Sequence, residues 1–314
     1  MIAQALPSSV VIREVGPREG FQLLPRFFET ERKLQLIQAL TEAGLSEIEV
    51  AAFVRPDRVP AMADAEALVA GLPRDTRTSF SALYLNMKGF QRAEASGALH
   101  NKGWLYTSPS ESFLRSNNNT TIEEGLASVP MWCDEFHRAG KRVHGLMVST
   151  AFGCGFEGVI RPEGVVRLVE RYRDVLATKG ETLSEISLAD TVGVAHPNSV
   201  RACIQMLRPL GVSLSLHLHN TWGLGLTNVY AGLCEGVSVF ETSIGGLGGC
   251  PFTPGASGNV ATEDVAYLCH ALGIATGLDL EKLCCAAELA ESIVGTSLSS
   301  GVYKAWRLSG KKMS

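Results

Sequence analysis

The stretch EISLADTVGVAHPNSVRACIQMLRPLGVSLSLHLHN, Glu185–Asn220, reads as strand, helix, strand. Glu185–Asp190 is a short apolar run. Pro197–Leu207 opens on a proline, whose fixed φ suits a first helical turn, and then spaces its apolar residues at helical intervals. Pro209 and Gly211 punctuate the joint. Ser213–His219 then alternates small polar with apolar residues and ends on two imidazoles. Two strands joined through a crossover helix run parallel, so this stretch predicts a βαβ unit.

The same pattern repeats along the 314-residue chain. Further strands are predicted at Val10–Gly16, Glu47–Phe53, Thr78–Leu85, Gly103–Thr107, Arg142–Ser149 and Val237–Ile244. Helices are predicted at Glu29–Ala43, Val59–Leu72, Met87–Ala95, Thr121–Ala139, Pro162–Ala177, Leu224–Glu235 and Thr262–Leu272. Eight βα units predict an α/β fold, a TIM (β/α)8 barrel, occupying residues 1–314 as one catalytic domain. From about Leu280 the chain predicts a C-terminal helical extension and then a polar tail.

Composition excludes several classes. A net charge of −4 leaves no footprint for nucleic acid or an anionic membrane. No apolar run is long enough to span a bilayer, and the first residues make neither a signal nor a transit peptide, so a cytoplasmic protein is expected. None of the eight cysteines falls in a C-x-x-C pair, which argues for a reducing compartment. Cys203, Cys234, Cys269, Cys284 and Cys285 fit apolar helix faces.

A barrel builds its site at the C-terminal ends of its strands. Arg18, Glu19, Glu49, Asp190, His217, His219, Asn220, Cys250 and Asn259 fall there. Side chains two apart on a strand share a face, so His217 and His219 either converge on a metal or are two core histidines bonded to carbonyls. In Gly16-Pro-Arg-Glu-Gly20, Glu19 offers a hard oxygen ligand and Arg18 a fixed cation; the plainer reading is a surface ion pair. The segment Gly245–Asn259 holds six glycines around Cys250. It fits a lid, a phosphate cradle, or a flexible loop with a buried thiol, and lacks the ending of a P-loop.

Taken together, EVGPREG (Glu14–Gly20), IEVAAFV (Ile48–Val54), SLADTVGV (Ser187–Val194), HLHNTWG (His217–Gly223) and GLGGCPF with GASGNVATED (Gly246–Asp264) resemble the 3-hydroxy-3-methylglutaryl-CoA lyase family. The resemblance runs from Val15 to about Val294. It implies a metal-dependent carbon–carbon lyase that cleaves 3-hydroxy-3-methylglutaryl-CoA to acetyl-CoA and acetoacetate by a retro-Claisen step. Related substrates such as citramalyl-CoA, a condensing synthase and a non-catalytic CoA-ester binder are the alternatives. By position, Glu19, His217, His219 and Asn259 match the ligands of a divalent Mg²⁺ or Mn²⁺ ion. Arg18 matches the enolate-stabilising arginine, Cys250 the proton-transferring thiol, and Glu49 and Asp190 the supporting acids. An acyl-CoA substrate and a homo-oligomer, dimer or tetramer, are expected, with no nucleic acid or membrane partner. Glu19 stands where the family has Asp, Asn220 and Trp222 where it has Asp and Tyr, and Phe21–Pro25 where it has a polar run.

Overall fold

The computed structural model describes residues 6–24, 26–74, 76–250 and 253–311; at 249–250 and 253–257 it describes the backbone alone. Eight parallel strands follow one another along the chain: β1 Val11–Glu14, β2 Glu47–Ala52, β3 Ser79–Leu83, β4 Gly103–Thr107, β5 Val143–Val148, β6 Glu185–Ala189, β7 Ser213–His217 and β8 Val239–Thr242. The helices are α1 Thr30–Glu42, α2 Ala65–Ala70, α3 Met87–Ala95, α4 Glu111–Asn118, α5 Ile122–Arg138, α6 Pro162–Thr178, α7 Pro197–Leu207, α8 Gly225–Cys234, α9 Thr262–Ala271, α10 Leu280–Val294 and α11 Gly301–Leu308. They fall into two compact units.

One unit holds Lys102–Ser238. Its strands lie side by side as β4, β5, β6, β7, all parallel, with Leu146 of β5 beside Leu105 on one flank and Ile186 on the other. Every residue of β6 is buried, the mark of a strand covered on both faces. Thr121 and Glu124 close a capping box at the start of α5, which explains why that helix begins where the sequence predicts. After β5 the chain makes a small hairpin, Gly153–Cys154 against Gly158–Val159.

The other unit holds Pro7–Asn101 and Val239–Ser314, with strands in the order β3, β2, β1, β8. In β1 and β8, Ile12 pairs with Phe240 and Arg13 with Glu241. The helix expected over Val59–Leu72 is broken into a turn at Pro60–Met62 and the short α2. The buried Lys33 explains the break: its Nζ donates to Ala61 O and to Asp64 Oδ1, both at 2.7 Å, so its partners sit between the two pieces. The polar tail expected after Leu280 is corrected too. Beyond α10 it forms α11, because Ser300 caps its first turn and Tyr303 and Trp306 are buried. Cys285, expected in the core, is exposed beside the buried Cys284, since one helical step turns it outward, and Cys234 is only half-buried.

Candidate active site

Strand β1 ends at Glu14, and the chain winds into a tight helical turn over Gly16–Gly20. This turn sets Arg18 and Glu19 side by side in the unit of Pro7–Asn101 and Val239–Ser314. Arg18 Nη1 lies 2.9 Å from Glu19 Oε2, and Arg18 Nε pairs with Glu49 Oε1 of β2. Arg18 is only 8% exposed, so this is no surface ion pair. Burial works against its charge, but the carboxylates of Glu49 and Glu19 outweigh that and hold the guanidinium above its ordinary range. Burial likewise raises the Glu49 carboxyl, with Arg18 opposing it. The result is a fixed cation with two carboxylate neighbours.

Asn259 reaches the same cluster from 240 residues away. Its Nδ2 donates to Glu19 Oε1 at 3.2 Å and to Leu247 O at 3.2 Å. Its Oδ1 is buried and has no hydrogen-bond partner. An orphaned amide oxygen beside a carboxylate suits a hard cation, whose ligands are oxygens. Asn259 is held in place through its neighbours. Ser243 N donates to Val260 O and Thr262 N to Ser243 O, at 3.1 Å each, so β8 straps the segment after the glycine-rich loop.

The unit of Lys102–Ser238 carries the imidazoles. His217 ends β7, and the chain stays extended enough for His219 to share its face. Their Nε2 atoms lie 3.2 Å apart, and both rings are buried. Two imidazole nitrogens aimed at one point fit a shared cation. Asp190 follows β6; its carboxylate accepts from Val194 N at 2.9 Å and Ala195 N at 3.1 Å, and its own amide donates to His217 O. Burial raises its pKa to about 6 against the pull of those amides.

Arg18, Glu19, Glu49 and Asn259 are thus together in one unit, and His217, His219 and Asp190 in the other. Cys250 lies in a short strand, Gly249–Cys250, paired with Thr253–Ser257; its side chain falls outside the described residues. Sequence reasoning missed two buried acids behind the site. Glu14 accepts from Gly16 N, Ile244 N and Thr262 Oγ1, and burial raises it to about 7. Glu263 accepts from Gly245 N at 3.0 Å and is raised to about 8, again by burial. The signals for Glu14 were an acid in an otherwise largely apolar strand and its place at the head of the EVGPREG motif.

The HMGL-like family model matches residues 9–290. A hydroxymethylglutaryl-CoA lyase of Pseudomonas mevalonii is 39% identical over 88% of this chain and 89% of its own length. The mitochondrial enzyme of Homo sapiens is 38% identical over 96% of this chain and 90% of its own. The crystal structure of the Bacillus subtilis HMG-CoA lyase superposes with a TM-score of 0.89 at 36% identity, covering 97% of this chain and all of that one. An A. baumannii HMG-CoA lyase, solved in complex with coenzyme A and 3-methylmalate, gives 0.86 at 37% identity over 96% of each chain. The fold is the (β/α)8 barrel of these lyases. By a family match over nearly its whole length and by relatives alike in sequence and backbone, the chain belongs to the HMGL-like family, on its hydroxymethylglutaryl-CoA lyase branch.

Proposed function

We propose that this carbon–carbon lyase cleaves 3-hydroxy-3-methylglutaryl-CoA to acetyl-CoA and acetoacetate, with Glu19, His217, His219 and Asn259 holding one Mg²⁺ or Mn²⁺ ion. The observation that carries it is the buried turn that presents Arg18 and Glu19 as consecutive residues, with the orphaned oxygen of Asn259 beside them. Divalent-metal dependence goes with the family, and the donors fit a hard cation with places left for substrate oxygens. Such an ion supplies Lewis acidity toward the substrate's hydroxyl and carboxylate oxygens.

The chain's own groups do the rest. Cleaving the C2–C3 bond leaves negative charge on the thioester oxygen of the departing acetyl-CoA. Arg18 is a cation already fixed by Glu49 and Glu19, so it stabilises that charge without reorganising. Asp190, anchored by two backbone amides and joined through its own amide to the His217 carbonyl, is the acid set to accept the hydroxyl proton. Cys250, in the glycine-rich segment, returns a proton to the enolate carbon. Among the described residues no helix is long and apolar enough to cross a membrane. The reading is completed by a single catalytic domain, cytoplasmic, working as a homo-oligomer.

Turnover of a small panel of 3-hydroxyacyl-CoA esters with added Mg²⁺ or Mn²⁺ tests the proposal. Release of acetyl-CoA from the methylglutaryl ester, lost on adding a chelator, is expected. An inert methylglutaryl ester beside a cleaved citramalyl ester would overturn the substrate. Cys250→Ala should lower kcat by about 10²-fold or more, as removal of a general acid–base does, with the metal still bound. Parental kcat in that variant would remove the thiol from the mechanism.

A further inference from the structure

We infer that Glu14 is a positioning residue for the lyase reaction: its buried carboxyl gathers the three segments that carry Arg18, Glu19 and Asn259 into one arrangement. The inference rests on the metal-lyase reading above and deepens it.

Glu14 ends β1 and is fully buried. Its Oε1 accepts from Gly16 N at 2.7 Å and from Ile244 N at 2.9 Å; its Oε2 accepts from Thr262 Oγ1 at 2.5 Å. Each donor belongs to a different segment. Gly16 opens the turn that bears Arg18 and Glu19. Ile244 opens the turn after β8 that leads to Leu247, whose carbonyl accepts from Asn259. Thr262 opens α9, three residues beyond Asn259, and shares a 2.7 Å hydrogen bond with Thr242 of β8. One side chain therefore ties together the segments that carry Arg18, Glu19 and Asn259.

The arrangement is costly, which is why a purely structural role fits it poorly. A strand residue facing a helix is ordinarily apolar, and burying a carboxyl is expensive unless its oxygens are bonded. Here the acid is accommodated by donors that all lead to the site. Gly16 allows the close approach, since a Cβ there would meet Glu14 Oε1 at 2.5 Å. The turn is held a second time, because the next amide, Gly245 N, donates to Glu263. The hydrogen bonds of Glu14 run to Gly16, Ile244 and Thr262, so it acts on Arg18, Glu19 and Asn259 through the backbone that carries them.

Glu14→Gln keeps the shape but turns one acceptor oxygen into a donor that faces Thr262 or an amide. The expected result is a fall in kcat and in Mn²⁺ affinity of about 10–100-fold each, the range for a lost supporting contact, with KM within about twofold. Hydrogen exchange at the Gly16 and Ile244 amides should quicken, while the thermal midpoint moves by only a few degrees. Parental kcat, Mn²⁺ affinity and amide exchange would overturn the inference. So would a loss confined to the thermal midpoint. If Glu14→Gln does not fold, Thr262→Val removes one donor and spares both amides; it should lower kcat by about 3–10-fold, and Thr262→Ser should restore most of it. Parental kcat in Thr262→Val would then overturn it. A parent protein that neither binds Mn²⁺ nor cleaves any ester defeats the proposed function instead, and the exchange of the two amides still judges Glu14.

Discussion

Arg18 shows how much a single side chain depends on its burial. At the surface a pair with Glu19 would contribute little, because water screens it. Only 8% exposed and held from two sides by Glu19 and Glu49, the guanidinium keeps its charge and its direction. Replacing it with glutamine should lower kcat by about 10²–10³-fold with a far smaller change in KM, as for other donors that act on developing charge. Steady-state kinetics on the methylglutaryl ester decides this, and a loss confined to KM would make Arg18 a binding residue only. Glu263 makes a different residue-scale prediction. Its carboxyl rises from 4.5 to about 8 on burial, so the folded chain binds that proton more tightly than the unfolded chain. The resulting stabilisation is present at acid pH and is lost as pH climbs through the window up to the folded value. Urea midpoints of the parent should fall between about pH 5 and 8, and those of Glu263→Gln should fall less. Parallel profiles would mean that Glu263 does not titrate in that window.

At the scale of elements, the alternation of short apolar runs with amphipathic stretches was enough to place all eight long strands, because covered parallel strands and surface helices differ in period. The His217 and His219 pair was legible for the same reason, being two residues apart on one strand. The meeting of Glu19 with Asn259 was not legible in that way, since 240 residues separate them and long-range contacts, the β1–β8 pairing and the Glu14 hydrogen bonds among them, bring them together. Short polar signals were missed where a tertiary contact decides the element. The capped helix α4 and the docked helix α11 are both of this kind. Helix α11 is tied to α9 by Asp264, whose carboxylate accepts from Ser300 Oγ at 2.7 Å, Val302 N at 2.8 Å and Gly301 N at 3.2 Å. Beside it, Ser299 N donates to Gly245 O at 3.1 Å, so the C-terminal extension also braces the root of the glycine-rich segment. Asp264→Ala should therefore destabilise by about 1–3 kcal/mol, the cost of a lost helix cap and unpaired donors. A urea melt within experimental error of the parent's would show that α11 docks without it.

At the scale of the whole molecule, a net charge of −4 gives no general field to draw in a polyanionic CoA ester. Recognition must come from local groups, and Arg18 is a buried cation set beside the acids of its site. The backbone follows the B. subtilis lyase over 97% of the chain. The proposed lyase chemistry requires Glu19 and Asn259 to share one cation with His217 and His219. Anomalous diffraction from crystals grown with Mn²⁺ tests it most directly. One strong peak is expected, at about 2.0–2.6 Å from a ligand atom of each of the four residues. A peak bound by the two histidines without Glu19 and Asn259, or no peak at a Mn²⁺ concentration that supports turnover, would contradict it.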